Sequence, residues 1–304
     1  MIEGLGKTEK MLPCKYLYDE RGSRLFDEIC ELDEYYVTRT ELAIMQQDVH
    51  EMALQLGERV MLIEFGSGSS IKTRILLEHL IDPAAYVPVD ISETHLLKTA
   101  ENLRNQFPGL EVLPVVADFT EAFDLPQTTI EPSHAAIYFP GSTIGNFAPT
   151  EAANMMSRIA EFLGMDGGML IGIDLQKDPA VIHAAYNDAK GVTAEFNLNI
   201  LHRVNRELGA NFDIDQFAHL AEYSQTTGRV ELFVVSQCEQ TVKIGDRFFQ
   251  FADGERIFTE YSHKYTIDGF TELAQTAGFS LHKYWTDERK MFAVLHLVVQ
   301  NLDE

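Results

Sequence analysis

The sequence predicts an α/β fold, a parallel sheet with helices on both faces, interrupted by a second, smaller α+β domain. Three observations predict it. Strand-like apolar runs alternate with amphipathic helical runs five times between residues 60 and 175. The first of these units turns on a glycine-rich segment, Gly66-Ser67-Gly68-Ser69-Ser70. After Asp174 the pattern changes, first to helices and then to a β-rich stretch, before an α/β ending returns at Asp268.

Residues 1–12 are polar and read as loose. Leu25, Phe26, Ile29 and Cys30 recur at helical spacing behind Gly22-Ser23, which predicts a short amphipathic helix. Tyr35 and Tyr36 fall in a connecting loop, where packing with a wet hydroxyl is one role and ligand contact another. A longer helix follows near Leu42–Leu56. Val60–Phe65 is a strand, Ile71–Leu80 its helix, Tyr86–Asp90 the second strand and Ser92–Gln106 the second helix. Glu111–Asp118 reads as the third strand and Ala135–Phe139 as the fourth. Thr150 is the expected cap of a helix reaching Leu163. Gly168–Leu175 is the fifth strand. Such units place a ligand at the carboxyl ends of the strands, and Glu64, Asp90, Asp118, Asn146 and Asp174 lie at or just beyond those ends. Asp118 is equally explained as a turn or cap residue.

Residues 179–208 are helical, and strands follow within 228–236, 242–251 and 255–265. A helix to Ala277, stopped by Gly278, precedes two last strands at Leu281–Trp285 and Phe292–Val299. The expected division is a cofactor domain at 55–178 and 268–304, and a substrate domain at 1–54 and 179–267.

The chain has 304 residues and a formal net charge of −23. A field of that sign repels nucleic acid and anionic membranes, so neither is an expected partner. No apolar run is long enough to span a bilayer, and Met1-Ile2-Glu3-Gly4 lacks the basic start of a secretory signal. Cys14, Cys30 and Cys238 are odd in number and far apart. They suggest neither a disulfide framework nor a metal cluster, and a cytoplasmic location fits. A monomer is compatible with the sequence.

The glycine-rich turn lacks the third glycine of a dinucleotide site and the closing Gly-Lys-Ser/Thr of a phosphate loop. An acid on strand one (Glu64), a short Gly-x-Gly turn (Gly66, Ser67, Gly68) and an acid ending strand two (Asp90) suit a cofactor without phosphate, S-adenosylmethionine. Its adenine would meet Asp118 and Phe119.

Longer strings carry a resemblance: Tyr18-Asp19-Glu20-Arg21-Gly22-Ser23, Tyr35-Tyr36-Val37-Thr38-Arg39-Thr40-Glu41, the segments 64–74 and 86–92, Phe139-Pro140-Gly141-Ser142-Thr143-Ile144-Gly145-Asn146, Tyr186-Asn187-Asp188, Phe196-Asn197 and Thr259-Glu260-Tyr261-Ser262-His263-Lys264-Tyr265. The chain resembles the histidine-specific S-adenosylmethionine-dependent methyltransferases of ergothioneine biosynthesis. The resemblance implies a Rossmann-like class I methyltransferase sheet and a smaller substrate-binding domain. It implies that Gly66, Lys72, Asp90, Asp118 and Phe119 hold the cofactor, and that Asn146 and Tyr186 hold the amino acid's amine and carboxylate. Gly141 would present a carbonyl near the amine. Glu260 and Ser262 would bond an imidazole, and Tyr18, Phe26 and Tyr35 would line the pocket. Tyr35 and Phe147 are candidates to face a methylated ammonium. Asn146, Tyr35 and Gly141 are thus the expected catalytic set, and trimethylated histidine, hercynine, the expected product. Two positions depart from the pattern: Leu232 stands where a pocket methionine is expected, and Val37 where a proline is. Without the resemblance, Glu260 reads as an exposed surface acid. Alternatives are a methyltransferase for another amino acid or amine, such as tryptophan, or a non-catalytic S-adenosylmethionine-binding module.

Overall fold

The computed structural model describes residues 1–67 and 71–300. The chain forms two compact units, Met1–Tyr36 with Lys177–His263, and Val37–Gln176 with Lys264–Glu304. The helix of residues 37–56 therefore belongs with the sheet-bearing unit, whereas the sequence pattern places the boundary after residue 54.

The larger unit is built on a seven-stranded sheet. Its order is Phe279–Thr286, Phe292–Val299, Gly168–Asp174, His134–Phe139, Val60–Phe65, Ala85–Asp90, Val115–Val116. The last five run parallel, and Phe292–Val299 is antiparallel to both its neighbours. Every residue of Val60–Phe65 and of Gly168–Asp174 is buried, as strands covered on both faces must be. From Val60–Phe65 the chain steps outward twice, then returns to the other side of the same strand at His134–Phe139. That reversal opens a crevice at the carboxyl ends of the two central strands, beside Gly66 and Gly141.

Four local expectations are corrected. The third strand shrinks to Val115–Val116, with one isolated bridge from Val112 to Tyr86. Pro114 has no N–H to give the ladder, and it interrupts the run. The long helix begins at Tyr36 rather than Leu42, so Tyr36 opens the helix while Tyr35 stays in the connecting loop, and both rings are buried. The helix Pro149–Leu163 is not capped by Thr150; Pro149 starts it, and the Glu151 carboxylate accepts from the Ala148 N–H at 2.9 Å. The helix after the glycine-rich turn ends at Leu77 instead of Leu80.

The smaller unit holds a four-stranded sheet in the order Lys10–Met11, Arg256–His263, Arg229–Ser236, Phe217–Ser224, and a hairpin of Gln240–Ile244 with Arg247–Phe251. Its first residues are not loose. Ile2–Leu5 is helical, Lys10 and Met11 pair with Ile257 and Phe258, and Leu5 and Leu12 are buried anchors within polar text. Phe217–Ser224, with two Ala and no β-branched residue, carries no strand signal in the sequence and is one. The helix Glu20–Cys30 starts ahead of Gly22-Ser23, because Asp19 caps it by accepting from the Gly22 N–H at 2.8 Å. Gly22 is needed for space instead: a Cβ there would sit 1.7 Å from the Leu17 carbonyl oxygen.

Strand Arg256–His263 carries a bulge between Phe258 and Glu260, and Thr259 is the extra residue. The Thr259 hydroxyl donates to Asn197 Oδ1 at 2.7 Å and lies 3.0 Å from the Leu232 carbonyl. The bulge changes the strand's phase, so Glu260 and Ser262 join Ile257 and Thr259 as buried residues.

Candidate active site

In the larger unit, the acid on the first strand is not free at the turn. Glu64 is buried, and its carboxylate accepts from the Thr73 hydroxyl at 2.7 and 2.9 Å and from the Tyr86 hydroxyl. Burial pushes its pKa up to about 7, opposed by those two hydroxyls. Ser67 Oγ lies 3.4 Å from the Tyr86 oxygen. Glu64 thus braces the root of the turn from below.

Gly66 has φ +69°, a conformation that favours glycine, and its N–H donates to the Val89 carbonyl at 3.0 Å. A Cβ there would meet nothing within 4 Å among the described residues, so a ligand can come close to this backbone. Gly68 lies outside the described residues. Asp90 ends the next strand, accepts from the Ser92 N–H at 2.8 Å, and has its pKa raised chiefly by burial. Asp118 accepts from the Thr120 N–H at 3.0 Å and hydroxyl at 2.5 Å, the geometry of a turn acid. Phe119 stacks on Phe65 with centroids 5.1 Å apart and planes at 7°, and meets Phe139 and Phe147 edge-on. A left-handed glycine with open space, an acid on the second strand and an aromatic shelf fit a nucleoside cofactor.

Gly141 (φ +78°) and Ser142 (φ +60°) are successive left-handed residues after the fourth strand, and Asn146 closes the short helix Thr143–Asn146. Lys72 is ion-paired with Glu41, a residue the sequence reading did not single out. Glu41 follows Val37 and precedes Ile44 and Met45 at core spacing, so a charge on that face was the available signal. Asp174, which lay in register with the other acids, is instead paired with Lys264 at 2.8 Å, both groups buried.

In the smaller unit the structure gathers six expected residues. Tyr18 packs edge-on against Phe26 at 5.7 Å, Phe26 against Tyr35 at 6.3 Å, and Tyr35 against Tyr186 at 6.3 Å. The Tyr18 hydroxyl donates to Glu260 Oε1 at 3.4 Å, and the hydroxyls of Tyr186 and Ser262 are 2.6 Å apart. Glu260 is buried, not a surface acid. Burial, and then the charge of Glu260, push the Tyr18 pKa well up, so its proton stays. Phe196, part of the resemblance but with no role expected of it, completes the wall 5.3 Å from Tyr18. Its neighbour Asn197 ties the sheet behind it, donating to the Phe233 carbonyl at 2.8 Å and meeting His219 Nδ1 at 2.9 Å. His219 Nε2 in turn lies 2.9 Å from the Tyr186 carbonyl. Leu232 is buried opposite Glu260 on the neighbouring strand.

Among the described residues no group of three or more His, Cys, Asp and Glu could hold a metal, and no helix is long and apolar enough to cross a membrane.

Comparison with known proteins supplies the rest. A family model described as histidine-specific methyltransferase, SAM-dependent, matches residues 1–299. The histidine N-alpha-methyltransferase of Mycobacterium tuberculosis is 37% identical over 300 residues, covering 97% of this chain and 92% of that protein. That of Mycolicibacterium smegmatis is 37% identical over 290 residues, covering 93% and 89%. Ergothioneine biosynthesis protein 1 of Neurospora crassa is 32% identical over 289 residues, covering 91% of this chain but 32% of that longer protein.

Proposed function

The chain belongs to the family of histidine-specific, S-adenosylmethionine-dependent methyltransferases, and from that premise we propose that it methylates the α-amine of L-histidine three times, yielding hercynine in ergothioneine biosynthesis. The observation that carries the choice of histidine is the buried pairing of Glu260 with Tyr18 and of Ser262 with Tyr186 against aromatic walls.

Imidazole carries one N–H and one bare nitrogen at neutral pH. Glu260 accepts from the first, and the Ser262 hydroxyl, turned from its Tyr186 contact, donates to the second. Gly66, Ser67, Gly68, Lys72, Asp90, Asp118 and Phe119 hold the cofactor, with Glu64 supporting their turn through Thr73 and Tyr86. When bound, the cofactor supplies an electrophilic methyl group on a sulfonium whose departure needs no acid. The residues therefore have two tasks, orientation and selection of the neutral amine. Asn146 and the Gly141 carbonyl accept from the amine's N–H groups without a formal charge. Tyr186 holds the carboxylate end. Tyr35 and Phe147 offer ring faces to an ammonium that loses its N–H groups as methyls accumulate, a contact worth about 0.5–2 kcal/mol. Orientation of this kind can lower a barrier by about 7–11 kcal/mol. None of the three cysteines is in a disulfide, which fits a reducing cytoplasm.

The test is a panel of amino acids incubated with the full chain and S-adenosylmethionine, read by mass spectrometry. Histidine gaining three methyl groups is expected. Turnover of tryptophan or another amine, with histidine untouched, overturns the choice of substrate; cofactor binding without any turnover overturns the activity.

A further inference from the structure

One buried carboxylate in the larger unit has three separate elements shaped around it. Glu41 is 0% exposed. Its Oε1 and Oε2 accept from the Gly141 N–H at 3.1 and 3.0 Å, and Lys72 Nζ pairs with Oε2. Strand Gly168–Asp174 makes room for it: a Cβ on Gly172 would lie 2.6 Å from Glu41 Oε1. The glycine-rich turn's helix contributes the lysine, the loop after the fourth strand the N–H, and the fifth strand the space.

Burying a charge is unfavourable unless it is paired and hydrogen-bonded, and a packed apolar residue usually stabilises as well or better. Stability is thus a weak reason for this arrangement, whereas its position is informative. Gly141 and Ser142 stand at the crevice where the sheet order reverses, and both are left-handed. Ser142 Oγ accepts from the Asp174 N–H at 2.9 Å, so the second residue of the pair is held from the fifth strand. Glu41 holds the first. The clamp takes the N–H of Gly141 and leaves its carbonyl to a ligand.

We propose that Glu41 is a positioning residue for methyl transfer: by clamping the Gly141 N–H while paired with Lys72, it fixes the direction of the Gly141 carbonyl against which the acceptor amine is held. The inference rests on the methyltransferase reading above and deepens it. It also couples the two ligands, because Lys72 is at once an expected cofactor contact and the counter-ion of the clamp.

Glu41→Gln keeps shape and one acceptor but turns an NH2 donor toward either the Gly141 N–H or Lys72. Full-length wild type and variant are compared by thermal melting, by calorimetric affinity for S-adenosylmethionine, and by kcat and KM for histidine. A slightly misaimed amine acceptor should lower kcat by about 30- to 100-fold, with cofactor affinity changing less than about fivefold. Glu41→Asp keeps the charge and withdraws it by one methylene, so it should show the same split at about five- to tenfold. Lys72→Met combined with Glu41→Gln should fall no further than the worse single variant, as members of one unit do. Two results overturn the inference: kcat within about threefold of wild type in both Glu41 variants, or a loss of kcat that only parallels lost cofactor affinity and melting temperature. A wild-type chain inert toward histidine would instead count against the substrate reading, and the two failures are thereby distinct.

Discussion

The hydroxyls of Tyr186 and Ser262 lie 2.6 Å apart, one at the end of helix Pro179–Tyr186 and the other on strand Arg256–His263. Only the bulge at Thr259 brings Ser262 and Glu260 into the buried phase of that strand. Selectivity for an imidazole then depends on two unlike partners, one charged and one neutral. Glu260→Ala should cost about 1.5–3 kcal/mol, or about 10- to 150-fold in kcat/KM for histidine. Ser262→Ala should cost about 1 kcal/mol, about fivefold. Steady-state kinetics on the purified variants measures both, and an unchanged kcat/KM for Glu260→Ala would exclude imidazole recognition by that residue.

Gly66→Ala tests the turn. A side chain at φ +69° costs about 1–2 kcal/mol of backbone strain and fills space open to a ligand. Calorimetry should record an affinity for S-adenosylmethionine weakened by about tenfold or more. Histidine affinity of the cofactor-free protein serves as the control.

Glu64 makes stability depend on pH in a definite direction. Its carboxyl has an ordinary value of 4.5 and is raised to about 7 in the folded protein. Between those values the folded state keeps a proton that the unfolded chain has lost. Its contribution is therefore full below pH 4.5 and declines as pH rises toward about 7, by an amount on the order of 3 kcal/mol. Glu64→Gln has no such proton. Urea unfolding at pH 5 and pH 8 should show the variant gaining on wild type as pH rises, and a constant difference would contradict it.

Asp174 and Lys264 are 0% and 1% exposed, so solvent screens neither. Lys264→Met removes the cation from a buried carboxylate, and denaturation should show a loss of about 3–5 kcal/mol. Adding Asp174→Asn should restore a large part of it. Losses that simply add would argue against a direct pair.

Much of the larger unit was readable in advance because its signals are local. A largely apolar strand, a glycine turn and an amphipathic helix occur within 18 residues of one another from Val60 to Leu77. The smaller unit was less legible, because its order comes from long-range pairing. Lys10 and Met11 have no strand signal of their own and are ordered by Ile257 and Phe258. The same holds for Glu41, whose partners Lys72 and Gly141 are 31 and 100 positions away. Glu64 shows the converse: strand-end spacing marks it for a ligand, and spacing gives no sign that Tyr86 and Thr73 engage its carboxylate. Spacing locates a side chain along the chain, and only packing decides what it faces.

The strand Phe292–Val299 lies between Gly168–Asp174 and Phe279–Thr286, with Phe292 to Leu297 all buried. During synthesis this has a consequence. Once residue 174 has emerged, the edge of Gly168–Asp174 that Phe292–Val299 will later cover must wait for more than 100 further residues, at about 5–20 residues per second. For several seconds a flat, apolar edge is open to pairing with any other extended chain. The intervening segment 177–263 belongs, with residues 1–36, to the other compact unit and does not cover that edge. Folding of the nascent chain is thus a race between closure of the sheet from within and capture of that edge from without.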